Sequence, residues 1–238
     1  MTGELQRRCW LGWAVLGFGL PGLIAADSRL VALAVPAAQH GSLGQRYLLS
    51  LAGGVIAEWM FVVAAWLVLK SRNQSFRDLG AWRLGNWAGW GFALLFAGLS
   101  ITSNLRFLPR MGVPISYAFA PRGFHLVAAL ATGITAGFCE ELLIRGFLMT
   151  EFAAAGYGRV AQVSLPGVAF GFSHLGYSVH GLVAAVGIMV PTAILGMMWG
   201  VAYLLGRRGL LPCIVAHFLN DSTALPWIGF FMFKGSLG

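Results

Sequence analysis

The stretch GFCEELLIRGFL, from Gly137 to Leu148, places two adjacent acids at the end of a long apolar run. Burying a carboxylate in a membrane or a protein core costs several kcal/mol, roughly, unless the group is paired or used. Residues four apart share a helical face, so we expect Glu141 to pair with Arg145. Glu140 is turned about 100 degrees away from Glu141. It must therefore face some other part of the chain.

The composition indicates an integral membrane protein. Of the 238 residues, 58% are hydrophobic and 10% are charged, whereas a soluble domain carries about 25% charged residues. The net charge of +8 comes from short basic clusters between apolar runs. The positive-inside rule explains such clusters better than nucleic-acid binding, so we expect no nucleic-acid partner. Cys9, Cys139 and Cys213 lie inside apolar runs and predict neither a disulfide framework nor a metal knuckle.

The apolar runs predict an all-α, polytopic transmembrane helical bundle. A helix needs about 20 apolar residues to cross a bilayer, which gives about seven spans, or eight if the tail after Pro226 adds a half-span. The predicted spans are Cys9–Ala26, Tyr47–Leu69, Leu84–Leu105, Gly123–Phe152, Val160–Leu175, Leu182–Leu205 and Gly209–Leu225. The apolar piece Leu30–Ala38 is too short to cross alone and is typical of a re-entrant or interfacial helix.

The spans divide into an N-terminal group of three, residues 1–122, and a C-terminal group of four, residues 123–238. The distribution of basic residues favours a cytoplasmic N-terminus and a multi-pass protein of the cell inner (plasma) membrane. This orientation puts the end of the fourth span towards the cytoplasm. Glu58 is the one unusual polar residue in the first group, and we interpret it as paired with a neighbouring span. His125 and His180 are interpreted as interfacial histidines.

Three polar clusters fall in the C-terminal group, and each contains one pair of residues that lie four apart and therefore share a helical face. They are Glu140, Glu141 and Arg145, then Phe170 and His174, then His217 and Asp221. Polar faces within a bundle are expected to converge on one cavity. A carboxylate and an imidazole can activate a water molecule there, and a second imidazole can stabilise an oxyanion.

The order of these clusters resembles a known family. Glu-Glu-x-x-x-Arg-Gly, then Phe-x-x-x-His, then His-x-x-x-Asn/Asp on successive membrane helices is similar to the CPBP family, the type II CAAX prenyl proteases and their bacterial Abi-like relatives. The resemblance covers about Gly123 to Asp221, and residues 123–238 would be the catalytic core. It implies a glutamic intramembrane endopeptidase without a cofactor. Its substrate would be a peptide or protein embedded in the lipid bilayer, with a C-terminal sorting tail or a lipid among the candidates.

The resemblance also implies roles for the matching residues. Glu140 and His174 would activate the water, and His217 and Asp221 would bind the oxyanion. Glu141, Arg145 and Phe170 would support the site. Asp221 stands where the eukaryotic enzymes have Asn, and an ionised carboxylate would repel an oxyanion. Asp221 is therefore either protonated or serves to orient His217.

Other readings of the same residues remain. Glu140, His174 and His217 could form a zinc site with an open position, although there is no His-Glu-x-x-His helix. Glu58 could join these groups in the pathway of a transporter or proton relay. A catalytically silent immunity or scaffold protein would be expected to have lost Glu140 or His174, and this chain keeps both. Cys213, four residues before His217, could be a thiol nucleophile, although buried cysteines usually serve packing.

Overall fold

The computed structural model describes residues 43–112, 114–119, 124–174 and 182–233, together with the single positions 10 and 14. The predicted first span, apart from those two positions, lies outside this part of the chain, as do Leu30–Ala38 and His180. Within the part described, the secondary structure is helical and contains no strand. The predicted all-α class is thus confirmed for these residues.

The helices are numbered here in chain order. They are α1 Leu43–Ser71, α2 Trp87–Phe107, α3 Ser116–Phe119, α4 Phe124–Glu141, α5 Met149–Ala154, α6 Arg159–Ser173, α7 Leu182–Leu205 and α8 Leu211–Phe233. A short 3-10 turn, Leu108–Met111, follows α2, and a π-helix, Leu142–Leu148, joins α4 to α5. Asn86 caps α2, because its side-chain oxygen accepts a hydrogen bond from the Gly89 amide at 2.9 Å.

Three stretches in this part of the chain are long and apolar enough to cross a membrane: Ala52–Ser71, Trp87–Arg110 and Val186–Leu205. They coincide with the predicted second, third and sixth spans, as expected for a membrane protein. The total of seven or eight spans stays a prediction. The backbone of α8 continues as a helix past Pro226 to Phe233. The apolar tail up to that residue is therefore an extension of the last predicted span.

The predicted fourth span is one continuous helix formed by α4, the π segment and α5. Glu140 lies near the middle of this helix, although the sequence placed it at the end of an apolar run. The residues directly after the two acids are wound as a π-helix, and the Met149 amide bonds to the Ile144 carbonyl oxygen five residues back. Every residue of the π segment is buried. Such segments are rare and are frequent at functional sites.

Glycines let the helices around the clusters approach closely. A Cβ on Gly137 of α4 would lie 3.0 Å from the Ile214 carbonyl oxygen of α8, and one on Gly133 would lie 2.9 Å from Ser222 Oγ. Gly171 of α6 faces α7 in the same way, with the Met189 carbonyl oxygen 2.6 Å from its would-be Cβ. Small residues at such crossings allow backbone contact between membrane helices. The pairs α4–α8 and α6–α7 form the frame of the site.

The first helices pack onto this frame. Arg72, just after α1, forms an ion pair with the buried carboxylate of Glu151 on α5 at 2.7 Å. The Leu210 amide donates to the Gly80 carbonyl oxygen at 3.1 Å. On α2, a Cβ at Gly89 would lie 2.6 Å from Gly206 Cα. Residues from both predicted groups therefore share one packed interior.

Candidate active site

The most deeply buried part of the site is an ion pair on the continuous helix formed by α4, the π segment and α5. Arg145 Nη1 lies 3.0 Å from Glu141 Oε1, and both side chains are 0% exposed. Arg145 Nη2 donates to the Gly196 carbonyl oxygen of α7 at 2.9 Å. The guanidinium also lies over the Phe170 ring, 4.7 Å from its centroid, a cation–π arrangement. The predicted Glu141–Arg145 pairing is confirmed, and Phe170 lies beside it.

Glu141 has a second partner that its sequence spacing did not reveal. His217 Nδ1 on α8 lies 2.8 Å from Glu141 Oε1. An ionised carboxylate only accepts hydrogen bonds, so Nδ1 is the donor. The imidazole is packed against the Trp199 ring, with centroids 4.5 Å apart. Glu141 thus connects Arg145 to His217, and the close approach of α4 to α8 at Gly137 makes this contact reachable.

The other nitrogen of His217, Nε2, faces two partly exposed carboxylates. Nε2 lies 3.6 Å from Glu140 Oε2 and 3.4 Å from Asp221 Oδ2. The Glu140 and Asp221 side chains are each 21% exposed, whereas that of His217 is 4% exposed. Glu140 therefore faces His217 and Asp221 on α8. The Nδ1 side of the imidazole is thus bonded to the buried Glu141, and the Nε2 side faces the partly exposed Glu140 and Asp221.

His174 closes the C-terminal end of α6. Its Nδ1 lies 2.9 Å from the Phe170 carbonyl oxygen and 3.2 Å from Ser173 Oγ. A carbonyl only accepts, so the Nδ1–Phe170 bond requires a proton on Nδ1. A neutral His174 then has Nε2 as a proton acceptor. The half-buried ring interacts electrostatically with both Glu140 and Asp221. The four residues predicted to be catalytic lie in one neighbourhood.

Asp221 is bonded from its other side by residues that the sequence reasoning missed. Asn220 Nδ2 donates to Asp221 Oδ1 at 3.1 Å, and Ser100 Oγ donates to Asn220 Oδ1 at 2.7 Å. Ser100 lies on α2, far from the polar clusters in sequence. Its only sequence signal is that of a polar residue within an apolar span.

The remaining candidate residues take peripheral places. Cys213 is buried and its thiol donates to the Trp199 carbonyl oxygen at 3.4 Å, which assigns it to packing. Glu58 and Glu140 both interact electrostatically with Cys139, so α1 brings Glu58 close to α4. In the ranges that the structure describes, no group of three or more His, Cys, Asp or Glu side chains is arranged to hold a metal ion.

Comparison with protein families matches residues 121–223 to the family described as type II CAAX prenyl endopeptidase Rce1-like. The matched segment contains the residues predicted for the site: Glu140, Glu141, Arg145, Phe170, His174, His217 and Asp221. The resemblance noted in the sequence is confirmed over this segment. No curated protein and no solved structure matches the chain.

Proposed function

We propose that this chain, whose residues 121–223 match the family described as type II CAAX prenyl endopeptidase Rce1-like, hydrolyses a peptide bond of a membrane-anchored substrate with a water molecule activated by Glu140 and His174. The family supports a CAAX-type intramembrane protease in general. The observation that carries the finer proposal is that two partly exposed acids, Glu140 and Asp221, both face His217 Nε2, whereas the Glu141–Arg145 pair is buried.

In the first step, Glu140 acts as the general base. Its carboxylate takes a proton from a water molecule that His174 Nε2 also binds, and the water oxygen attacks the carbonyl carbon of the substrate. The new C–O bond forms as the carbonyl π bond opens, and the negative charge moves to the carbonyl oxygen. Both side chains are partly exposed, which is consistent with access of a substrate to them.

In the second step, His217 stabilises the oxyanion. Glu141 accepts a hydrogen bond from Nδ1–H and so keeps a proton on Nδ1, and Nε2 can therefore donate to an oxyanion only when the ring carries both protons. Asp221 orients the ring from the Nε2 side, because an ionised carboxylate would repel the oxyanion itself. The intermediate then collapses, the C–N bond breaks, and the leaving amine takes the proton held by Glu140.

The substrate must present an unwound peptide bond. A helical segment hides its carbonyl groups in backbone hydrogen bonds, so cleavage is expected near the end of a span or in a flexible tail. A C-terminal sorting tail or a lipid-modified end satisfies this requirement and keeps the peptide at the membrane.

The proposal is tested with the full chain reconstituted in liposomes, using an internally quenched peptide with a farnesylated CAAX end and the same peptide without the farnesyl group. In parallel, mass spectrometry of membrane-protein termini compares host cells that express the wild type or Glu140→Ala. We expect new peptide ends with the wild type only, at equal amounts of inserted protein. Identical termini in the two strains, with neither peptide cleaved, would reject the protease function.

A further inference from the structure

The two oxygens of the Asp221 carboxylate have different partners. Oδ2 lies 3.4 Å from His217 Nε2. Oδ1 accepts a hydrogen bond from Asn220 Nδ2 at 3.1 Å. The carboxylate is thus held on one oxygen and presents the other to the imidazole. The contacts that hold the Asn220 side chain in place therefore also determine the direction of the Asp221 carboxylate.

The chemistry of the amide determines how Asn220 is oriented. An ionised carboxylate offers only acceptors, so the NH₂ group of Asn220 must face Asp221. The amide oxygen then points the opposite way and needs a donor, since Asn220 is only 9% exposed and an unpaired buried acceptor is costly. Ser100 Oγ supplies this donor at 2.7 Å. The reversed amide would turn its oxygen towards the Asp221 carboxylate and lose that bond, and the Ser100 hydroxyl would then accept from the NH₂ group instead of donating.

The geometry points to Ser100 and Asn220 as positioning residues that aim the Asp221 carboxylate at His217. This inference rests on the proposed function, in which Asp221 orients the imidazole. The two residues reach His217 through a chain of contacts, in which each acts on the next: Ser100 on Asn220, Asn220 on Asp221, and Asp221 on His217. We call these contacts the Ser100 relay.

The Ser100 relay gives α2 a part in the chemistry. Ser100 lies outside the segment 121–223 that matches the family, and α2 packs directly against α8. Helix α2, which precedes the matched segment, therefore contributes to the site through Ser100. A fragment that kept only the matched segment would lack the donor to the Asn220 amide oxygen.

The first test is kinetic, on the full chain in liposomes with the most rapidly cleaved peptide found for the wild type. Ser100→Ala should lower kcat about tenfold with KM unchanged, because the relay touches His217 and not the substrate. Asn220→Ala should lower kcat at least as much. The double variant should match Asn220→Ala alone, since Ser100 acts only through Asn220. Thr102→Ala is the matched control, because its exposed hydroxyl on the same helix bonds only to the Gly98 carbonyl oxygen.

The second test needs no substrate. The chain contains only Asp27, Asp78 and Asp221 as aspartates, so infrared spectra of carboxyl-¹³C-aspartate protein, minus the spectrum of Asp221→Asn, isolate the Asp221 band. Ser100→Ala should shift this band and Thr102→Ala should not. An unchanged band and unchanged kcat in Ser100→Ala would overturn the relay, as would equal losses in Thr102→Ala. If no Glu140-dependent cleavage exists, the proposed function fails, and the band alone decides whether the relay holds Asp221.

Discussion

Glu140 and Glu141 are neighbours in the chain but belong to two different halves of the site. Glu141 is 0% exposed, and its Oε1 is shared by Arg145 Nη1 at 3.0 Å and His217 Nδ1 at 2.8 Å. Glu140 is 21% exposed and lies 3.6 Å from the opposite nitrogen of the same imidazole. The turn of about 100 degrees between adjacent helical residues separates them. Glu141 is thus part of the buried structure of the site, and Glu140 is the proposed general base.

The difference shows why two adjacent acids can persist in an apolar helix. A buried carboxylate is tolerated when its charge is paired, as for Glu141, whose Oε1 contacts both Arg145 and His217. An accessible carboxylate keeps part of its hydration and can exchange protons with a substrate water, as proposed for Glu140. His217 joins the two halves, because each of its ring nitrogens faces one of them.

The largest expected effect is on the buried half. Arg145→Met leaves the carboxylate of Glu141 buried without its cation, which typically costs about 3–5 kcal/mol. We expect a strong loss of folded protein, measured as thermal unfolding in detergent. Arg77→Met, which removes an exposed arginine from the loop after α1, is the control and should unfold like the wild type. Equal unfolding of the two variants would show that Glu141 does not depend on Arg145.

A smaller effect is expected where the two halves are brought together. In Gly137→Ala, the new Cβ meets the backbone of α8, at 3.0 Å from the Ile214 carbonyl oxygen. Overpacking of this kind costs about 1–3 kcal/mol, and separating α4 from α8 should lower cleavage about tenfold by lengthening the Glu141–His217 contact.

Gly98→Ala is the matched control for this prediction. It lies in α2, and nothing lies within 4 Å of its would-be Cβ. Replacing a helical glycine by alanine there should be neutral or should stabilise the helix by up to about 1 kcal/mol. If Gly137→Ala is as stable and active as Gly98→Ala, close packing does not hold the two halves together.

The smallest effect is expected from metal removal. If Glu140 and His174 activate water without metal, strong chelators should leave the cleavage rate unchanged. Elemental analysis of the purified protein should then find no stoichiometric zinc. Loss of activity on chelation, with recovery on adding zinc, would instead favour Glu140, His174 and His217 as zinc ligands.

Local patterns in the sequence predicted much of this arrangement. Hydropathy predicted the helices later found as α1, α2, α6 and α7 to within a few residues, because apolar length is a local property. Four-residue spacing predicted the Glu141–Arg145 pair, because both partners lie on one helix. The polar clusters predicted which residues meet, since polar groups in an apolar bundle need one another.

Contacts between helices could not be predicted in the same way. The Glu141–His217 hydrogen bond depends on how closely α4 and α8 approach, which no single helix encodes. The bond from Ser100 to Asn220 joins residues on α2 and α8, and neither residue belongs to a recognisable motif. The π segment Leu142–Leu148 after Glu141 also escaped prediction, because its residues are ordinary helix formers and carry no local signal for the wider turn.

The division of labour between the two glutamates is tested most directly by measuring cleavage and thermal unfolding on the same preparations of Glu140→Gln and Glu141→Gln. Glu140→Gln should unfold like the wild type and lose cleavage by about a thousandfold or more, because an amide cannot take a proton from water. Glu141→Gln should unfold at a clearly lower temperature, because Arg145 loses its counter-charge. Where it remains folded, it should keep measurable cleavage. Near-wild-type cleavage by Glu140→Gln, or wild-type stability of Glu141→Gln together with complete loss of cleavage, would contradict this assignment.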